Sequence, residues 1–168
     1  MRHHRPWSGF ALLVVSAAAC APKEAPPPAA PAVDTARVTT EVAGYWRQWA
    51  AAADTTGSIP AMLELLSDSI RIDSKGAPPM LGKAAWQTMV ETMQKTTKVL
   101  SETITPDVTV AVSNDLAYQN GNYAEDVLTG KKKSTDYGRY AAALERGPDG
   151  KWRLRYIMAF SDSIVAAK

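Results

Sequence analysis

Residues 138–160 read GRYAAALERGPDGKWRLRYIMAF, and this stretch decides the fold. Gly147 and Gly150 flank Pro148-Asp149, a run that ends one strand and starts the next, because glycine reaches positive φ where strand pairing demands it. After the turn Trp152, Leu154, Tyr156, Met158 and Phe160 recur at every second residue, with Arg153 and Arg155 between them. That period belongs to a strand. The apolar set is expected on the face that helices cover, with Trp152 buried, and the two arginines on the other face.

Working back towards the N-terminus, the same spacing continues. Ser134 to Arg146 and Leu116 to Leu128 read as long strands, joined by a turn at Thr129 to Lys133. Asn114-Asp115 turns the chain again. Val108, Val110 and Val112 alternate in one segment, and Val99 to Thr105 forms another before Pro106. Upstream the period changes to that of a helix. Gly82 to about Thr97 carries Trp86, Met89, Val90 and Met93 on one face. Ser67 to Ser74 is a strand in which Ile70 and Ile72 alternate with polar residues. Ser58 caps a short helix that tolerates Pro60 in its first turn, with Met62, Leu63, Leu65 and Leu66 buried. Asp34 or Thr35 caps a first helix whose apolar stripe is Val38, Val42, Tyr45/Trp46, Trp49 and Ala53. Helices followed by a strand meander make an α+β pattern, with helices on one sheet face.

The first residues have a different character. Arg2, His3, His4 and Arg5 precede a short apolar run, Phe10 to Val15, and then Ser16-Ala17-Ala18-Ala19-Cys20. The run is too short for a bilayer span, which needs ~20 residues, and the small residues suit signal cleavage. We read 1–19 as a signal peptide. Cys20 after Ala-Ala-Ala resembles a bacterial lipobox, although Ala17 stands where leucine is usual. The alternative is ordinary secretory cleavage near Ala19. Residues 20–33 are then a lipidated cysteine and a Pro/Ala-rich spacer, since proline neither continues a helix nor pairs in a sheet. Residues 34–168 form the domain.

Both histidines and the single cysteine fall within that leader. A mature chain without them has no imidazole base for Ser-His or Cys-His nucleophilic catalysis and none of the usual zinc ligands. Loss of Arg2 and Arg5 leaves 17 Lys+Arg against 17 Asp+Glu. No basic face for nucleic acid is expected. Lys131-Lys132-Lys133 reads as a solvated hairpin tip, with contact to anionic lipid as the alternative. No calcium-loop spacing is present, and neither a metal nor a cofactor is expected.

Several local pieces resemble the nuclear-transport-factor-2-like, or SnoaL-like, superfamily. They are Leu65-Leu66-Ser67-Asp68-Ser69, Pro78-Pro79-Met80-Leu81-Gly82, Asp115-Leu116-Ala117-Tyr118 with Gly121-Asn122-Tyr123, Gly138-Arg139-Tyr140, and Asp149-Gly150-Lys151-Trp152-Arg153-Leu154. The resemblance spans roughly Thr35 to Ser163. It implies a cone-shaped α+β half-barrel, three N-terminal helices packed on a curved antiparallel sheet, with a pocket between the layers and frequent dimerisation. Members include isomerases, dehydratases, cyclases and pure binding modules.

The resemblance also directs attention to Asp73, since the ketosteroid-isomerase branch has a catalytic carboxylate at the matching place. Desolvation in an apolar pocket would raise such a carboxyl and fit it for proton abstraction; alternatively Asp73 caps the Ser74–Gly76 turn. That branch's other donors would fall near Trp49 or Ala50 and near Ala142, which carry no hydroxyl or carboxyl. Trp46, Trp49, Trp86, Tyr118, Tyr140, Trp152 and Tyr156 are read as lining the cavity, or else as core packing. Arg139 and Arg155 are expected to face outward, with contact to an acidic ligand as the alternative. Three functions stay open: an envelope-anchored module binding a small apolar ligand, an isomerase or dehydratase using Asp73, and a homodimerisation domain.

Overall fold

A computed structural model of the protein describes residues 32–54 and 58–166. The leader, Cys20, the spacer through Pro31 and residues 55–57 lie outside the described residues. The elements are α1 (Thr35–Ala53), α2 (Ile59–Glu64), β1 (Leu66–Ser74), β2 (Met80–Leu81), α3 (Lys83–Met93), β3 (Thr97–Ser113), β4 (Leu116–Thr129), β5 (Lys132–Arg146) and β6 (Trp152–Ala166).

Local chemistry accounts for the helix starts. The Asp34 carboxylate accepts from the Arg37 amide at 3.0 Å and the Ser58 hydroxyl from the Ala61 amide at 3.4 Å, each filling an orphan donor of a first turn. The start of α1 is also tied to the sheet. Asn114, in the β3–β4 turn, accepts from the Asp34 amide at 3.0 Å and from the Arg37 guanidinium at 3.0 Å, and donates to the Ala32 carbonyl at 3.2 Å. Helix α3 stops at Met93, short of the expected Thr97, because β3 begins there.

The strands run in the order β2-β1-β6-β5-β4-β3. From β3 to β6 the pairing is the antiparallel meander expected. The sheet as a whole is mixed, since β1 pairs with β6 in parallel and the short β2 pairs antiparallel to β1. The physical reason is the connection: β1 and β6 are separated by α3 and four strands, enough chain for a parallel crossover. Val38, Val42, Tyr45 and Trp46 of α1 bury against Leu66 and Ile70 of β1 and Leu144 and Leu154 of the meander.

Bulges change which face a residue occupies. In β6 the pairs Leu144↔Leu154 and Ala143↔Tyr156 leave Arg155 as an extra residue. Trp152 and Leu154 therefore face the helices, as expected. Beyond Arg155 the phase inverts, so Ile157 and Ala159 line the inner face, whereas Tyr156, Met158 and Phe160 share the outer one. A second bulge follows Pro106, so β3 continues through the proline rather than stopping there. It places Val108, Val110 and Val112 on the outer face, each about half exposed.

Two inner-face glycines permit the sheet's curvature. A Cβ on Gly138 would run into the Phe160 carbonyl and the Tyr123 ring, and one on Gly121 into the Thr105 carbonyl and, at 2.9 Å, the Pro106 Cα. In the final hairpin only Gly150 has positive φ, +77°. At Gly147 φ is not positive, and a Cβ there would meet only the ends of the Arg153 and Asp149 side chains.

Candidate functional site

Between α1, α3 and the inner sheet face lies a cleft of two adjoining lobes, about 260 and 320 Å³. Both linings contain Trp49, Trp86, Met89, Glu102 and Glu125. The inner lobe adds Trp46, Ile72, Tyr123, Tyr140 and Ile157. The outer lobe runs past Met93, Gln94 and Lys98.

The rings meet at steep angles. Trp49 and Trp86 lie 6.2 Å apart at 63°, Trp46 and Trp49 6.5 Å at 77°, and Trp46 and Tyr140 5.2 Å at 60°. These are edge-to-face contacts, favourable for aromatic quadrupoles. They arise because Trp46 and Trp49 sit one turn apart on α1 and Trp86 projects from α3. The Tyr140 hydroxyl donates to the Gln119 side-chain carbonyl at 2.7 Å, and Gln119 donates to Thr109 at 2.8 Å. This buried relay is satisfied from within. The Trp46 N–H is not: it is buried with no hydrogen-bond partner among the described residues.

The polar centre of the cleft is Glu102, which accepts from the Trp49 N–H at 3.0 Å. Burial, with the nearby Glu125 charge adding to it, pushes its carboxyl up to about 7 against the weaker opposing pull of that hydrogen bond. Glu125 is the direct cross-strand partner of Glu102, and it too is raised, by burial and then by the charge of Asp136. Asp136 accepts from the Tyr123 hydroxyl at 3.3 Å and from Ser161 at 2.6 Å. Like charges opposed across a ladder destabilise each other, and neither glutamate of this pair has an ion-pair partner among the described residues. A carboxyl that titrates near neutrality in an apolar cleft can exchange protons with a ligand or oppose its charge.

The residues singled out from sequence fall in three places. Trp46, Trp49, Trp86 and Tyr140 line the cleft. Tyr118 and Tyr156 do not: they border a shallow groove of about 310 Å³ on the opposite sheet face, with Val108 and Val110. For Tyr156 the cause is the Arg155 bulge; Tyr118 alternates with the inward Ala117 and Gln119. Trp152 lies under α1, where its N–H donates to Glu41 at 2.9 Å and the Arg146 guanidinium stacks 5.0 Å from its ring centroid. Asp73 follows the cleft-lining Ile72 and points the other way. Arg71 grips both its oxygens, at 3.2 and 3.1 Å, and the Tyr156 hydroxyl donates to it at 3.1 Å. Arg139 and Arg155 are exposed and paired with Asp162 and Glu145.

Glu102, Glu125 and Tyr123 were not singled out from the sequence. The signal was phase: Glu102 lies two residues from the apolar Ile104, and Glu125 two from Tyr123. Among the described residues no group of three or more His, Cys, Asp or Glu is placed to hold a metal ion.

No family model and no curated protein matches the chain. Solved structures do. A ketosteroid isomerase-like protein from Erwinia carotovora atroseptica superposes with a TM-score of 0.65 at 14% identity, over 74% of this chain and 95% of that one. A protein of unknown function from Shewanella oneidensis, described as NTF-2 like, gives 0.61 at 15% identity, over 74% and 99%. A hexachlorocyclohexane dehydrochlorinase gives 0.64 at 12% identity, over 79% and 90%. The fold is therefore the nuclear-transport-factor-2-like α+β cone, with helices packed on an open, mixed six-stranded sheet. At such identities the likeness carries fold and not activity.

Proposed function

We propose that the chain is a small-molecule-binding module, held at the bacterial envelope by a lipid on Cys20, whose ligand occupies the cleft between α1, α3 and the sheet. The observation that supports this reading is the cleft itself. Its walls are indole, phenol and methionine side chains around a few polar groups, the usual construction of a small-molecule site. The ketosteroid isomerase-like and hexachlorocyclohexane dehydrochlorinase structures carry the names of apolar ring compounds, which such walls would suit. Asp73, held by Arg71 and Tyr156 outside the cleft, gives an isomerase or dehydratase reading no support. The outer-face patch around Val108, Val110 and Tyr118 is the surface through which a homodimer would form.

Titration of the purified chain with naphthalene is expected to change tryptophan emission saturably. Ala159→Phe, which fills the inner lobe, should remove the saturable component. A linear, non-saturating response in the parent protein would reject the binding reading. The anchor is tested separately. The protein expressed in a bacterium should sediment with membranes and Cys20→Ser should not, and an unmodified Cys20 in the mature chain by mass spectrometry would remove the anchor.

A further inference from the structure

We propose that the cleft selects an organic cation, a quaternary or protonated ammonium on an apolar body, seated in the space lined by Trp49 and Trp86 beside Glu102 and Glu125. The proposal rests on the binding reading above and adds the charge of the ligand.

Three observations converge on it. The first is the shape of the aromatic wall. Trp49 stands at 63° to Trp86 and at 77° to Trp46, with centroids 6.2 and 6.5 Å away. Trp49 and Trp86 both line both lobes, and tryptophan is the strongest cation–π partner among side chains. The second is that Glu102 and Glu125, from neighbouring strands, project into that space as direct cross-strand partners and belong to the linings of both lobes. The third is the lack of internal compensation. Neither glutamate is ion-paired among the described residues, and the one hydrogen bond found for them is the Trp49 N–H to Glu102. The lysine in the lining, Lys98, belongs to the outer lobe alone.

A neutral ligand would bury these carboxylates further without offsetting their charge, and an anion would add to the repulsion. A cation offsets it, while its methyl or methylene groups fill the apolar walls. The opposed glutamates, which weaken the fold on their own account, then have a reason to be where they are.

The test uses the full chain and a matched trio: benzyltrimethylammonium, its neutral carbon isostere neopentylbenzene, and phenylacetate. Calorimetric titration at pH 8 is expected to show the cation binding at least about tenfold more tightly than the isostere, and phenylacetate more weakly than either. The permanent charge of the cation confines any pH effect to the protein. The groups around Glu102 are Tyr45 and Asp54 of α1 and its end, Gln94 after α3, Lys98 of β3, and Glu125 of β4 with Asp136 and Tyr123 behind it. Glu102 is the group raised to about 7, so the cation's advantage should shrink as pH falls from 8 to 5.5. In the double variant Glu102→Gln/Glu125→Gln the ratio of cation to isostere affinity should fall to about one.

Equal binding of cation and isostere by the parent protein would overturn the proposal and leave apolar binding standing. So would an advantage that persists in the double variant. Binding of none of the three would overturn both readings together. The comparison of ligands on the parent protein needs no variant to fold.

Discussion

Replacing Trp152 by alanine is expected to destabilise the full-length chain by roughly 3–5 kcal/mol, the cost of emptying a large aromatic core site. The side chain is 8% exposed and packs in the same core as Tyr45, Leu66 and Leu154. It is also the hub of a polar contact set. Its N–H donates to Glu41, which is ion-paired with Arg146, and Arg146 stacks on the indole. Truncation therefore leaves a cavity, an acceptor short of a donor, and a guanidinium without its ring. Arg153→Ala, next in sequence and on the other face, should cost about 1 kcal/mol. Its ion pair to Asp149 at 2.7 Å joins the two sides of the hairpin turn but is partly solvated. Urea midpoints of the two variants give the comparison. Equal losses would mean that the faces at the start of β6 are wrongly assigned.

Glu102→Gln is expected to act in the opposite direction and to strengthen the fold. A carboxyl moved from its ordinary 4.5 to about 7 binds its proton more tightly folded than unfolded, so the sign is fixed. Below about pH 4.5 the group is neutral in both states and the substitution should change little. Between about 4.5 and 7 the parent protein loses stability as the unfolded chain ionises and the folded one resists. Above 7 the loss is complete, and the variant should be more stable by up to roughly 3 kcal/mol. Glutamine still offers an acceptor to the Trp49 N–H, so that hydrogen bond is kept. Denaturant midpoints at pH 4.5, 6 and 8 read out the difference. A variant less stable than its parent at pH 8 would show that the charged carboxylate supports the fold instead of straining it. A site group that weakens its own scaffold belongs to function more than to stability.

The two residues differ in how legible they were. Trp152 could be assigned from sequence because the Gly147–Gly150 turn fixes where β6 begins, and period two runs unbroken from there to Leu154. Past Arg155 the same reasoning put Tyr156, Met158 and Phe160 on the wrong face, since a bulge inserts one residue without changing the composition around it. The bulge after Pro106 shifts the phase of β3 in the same way, and there the proline marked the place. The starts of α1 and α2 were legible because a capping carboxylate or hydroxyl is a local device, needing nothing beyond the next three residues. The parallel pairing of β1 with β6 was not, because it depends on contacts between residues far apart in sequence. Glu102 and Glu125 were passed over because an acidic residue in an alternating strand ordinarily faces water. Asp73 drew attention through resemblance, yet its phase, opposite to Ile70 and Ile72, already pointed it away from the helices.

The tie between Asn114 and the segment Ala32–Arg37 sets the two ends of β3 apart. It fixes the entry of the chain at the β3–β4 turn. The outer lobe is bordered by Thr97, Lys98 and Val99, at the opposite end of β3. The cap of α1 and the outer lobe therefore sit at opposite ends of one strand. Loosening the Asn114 contacts would reach the start of α1 before it reached the aromatic walls, so the two ends of the domain can yield separately.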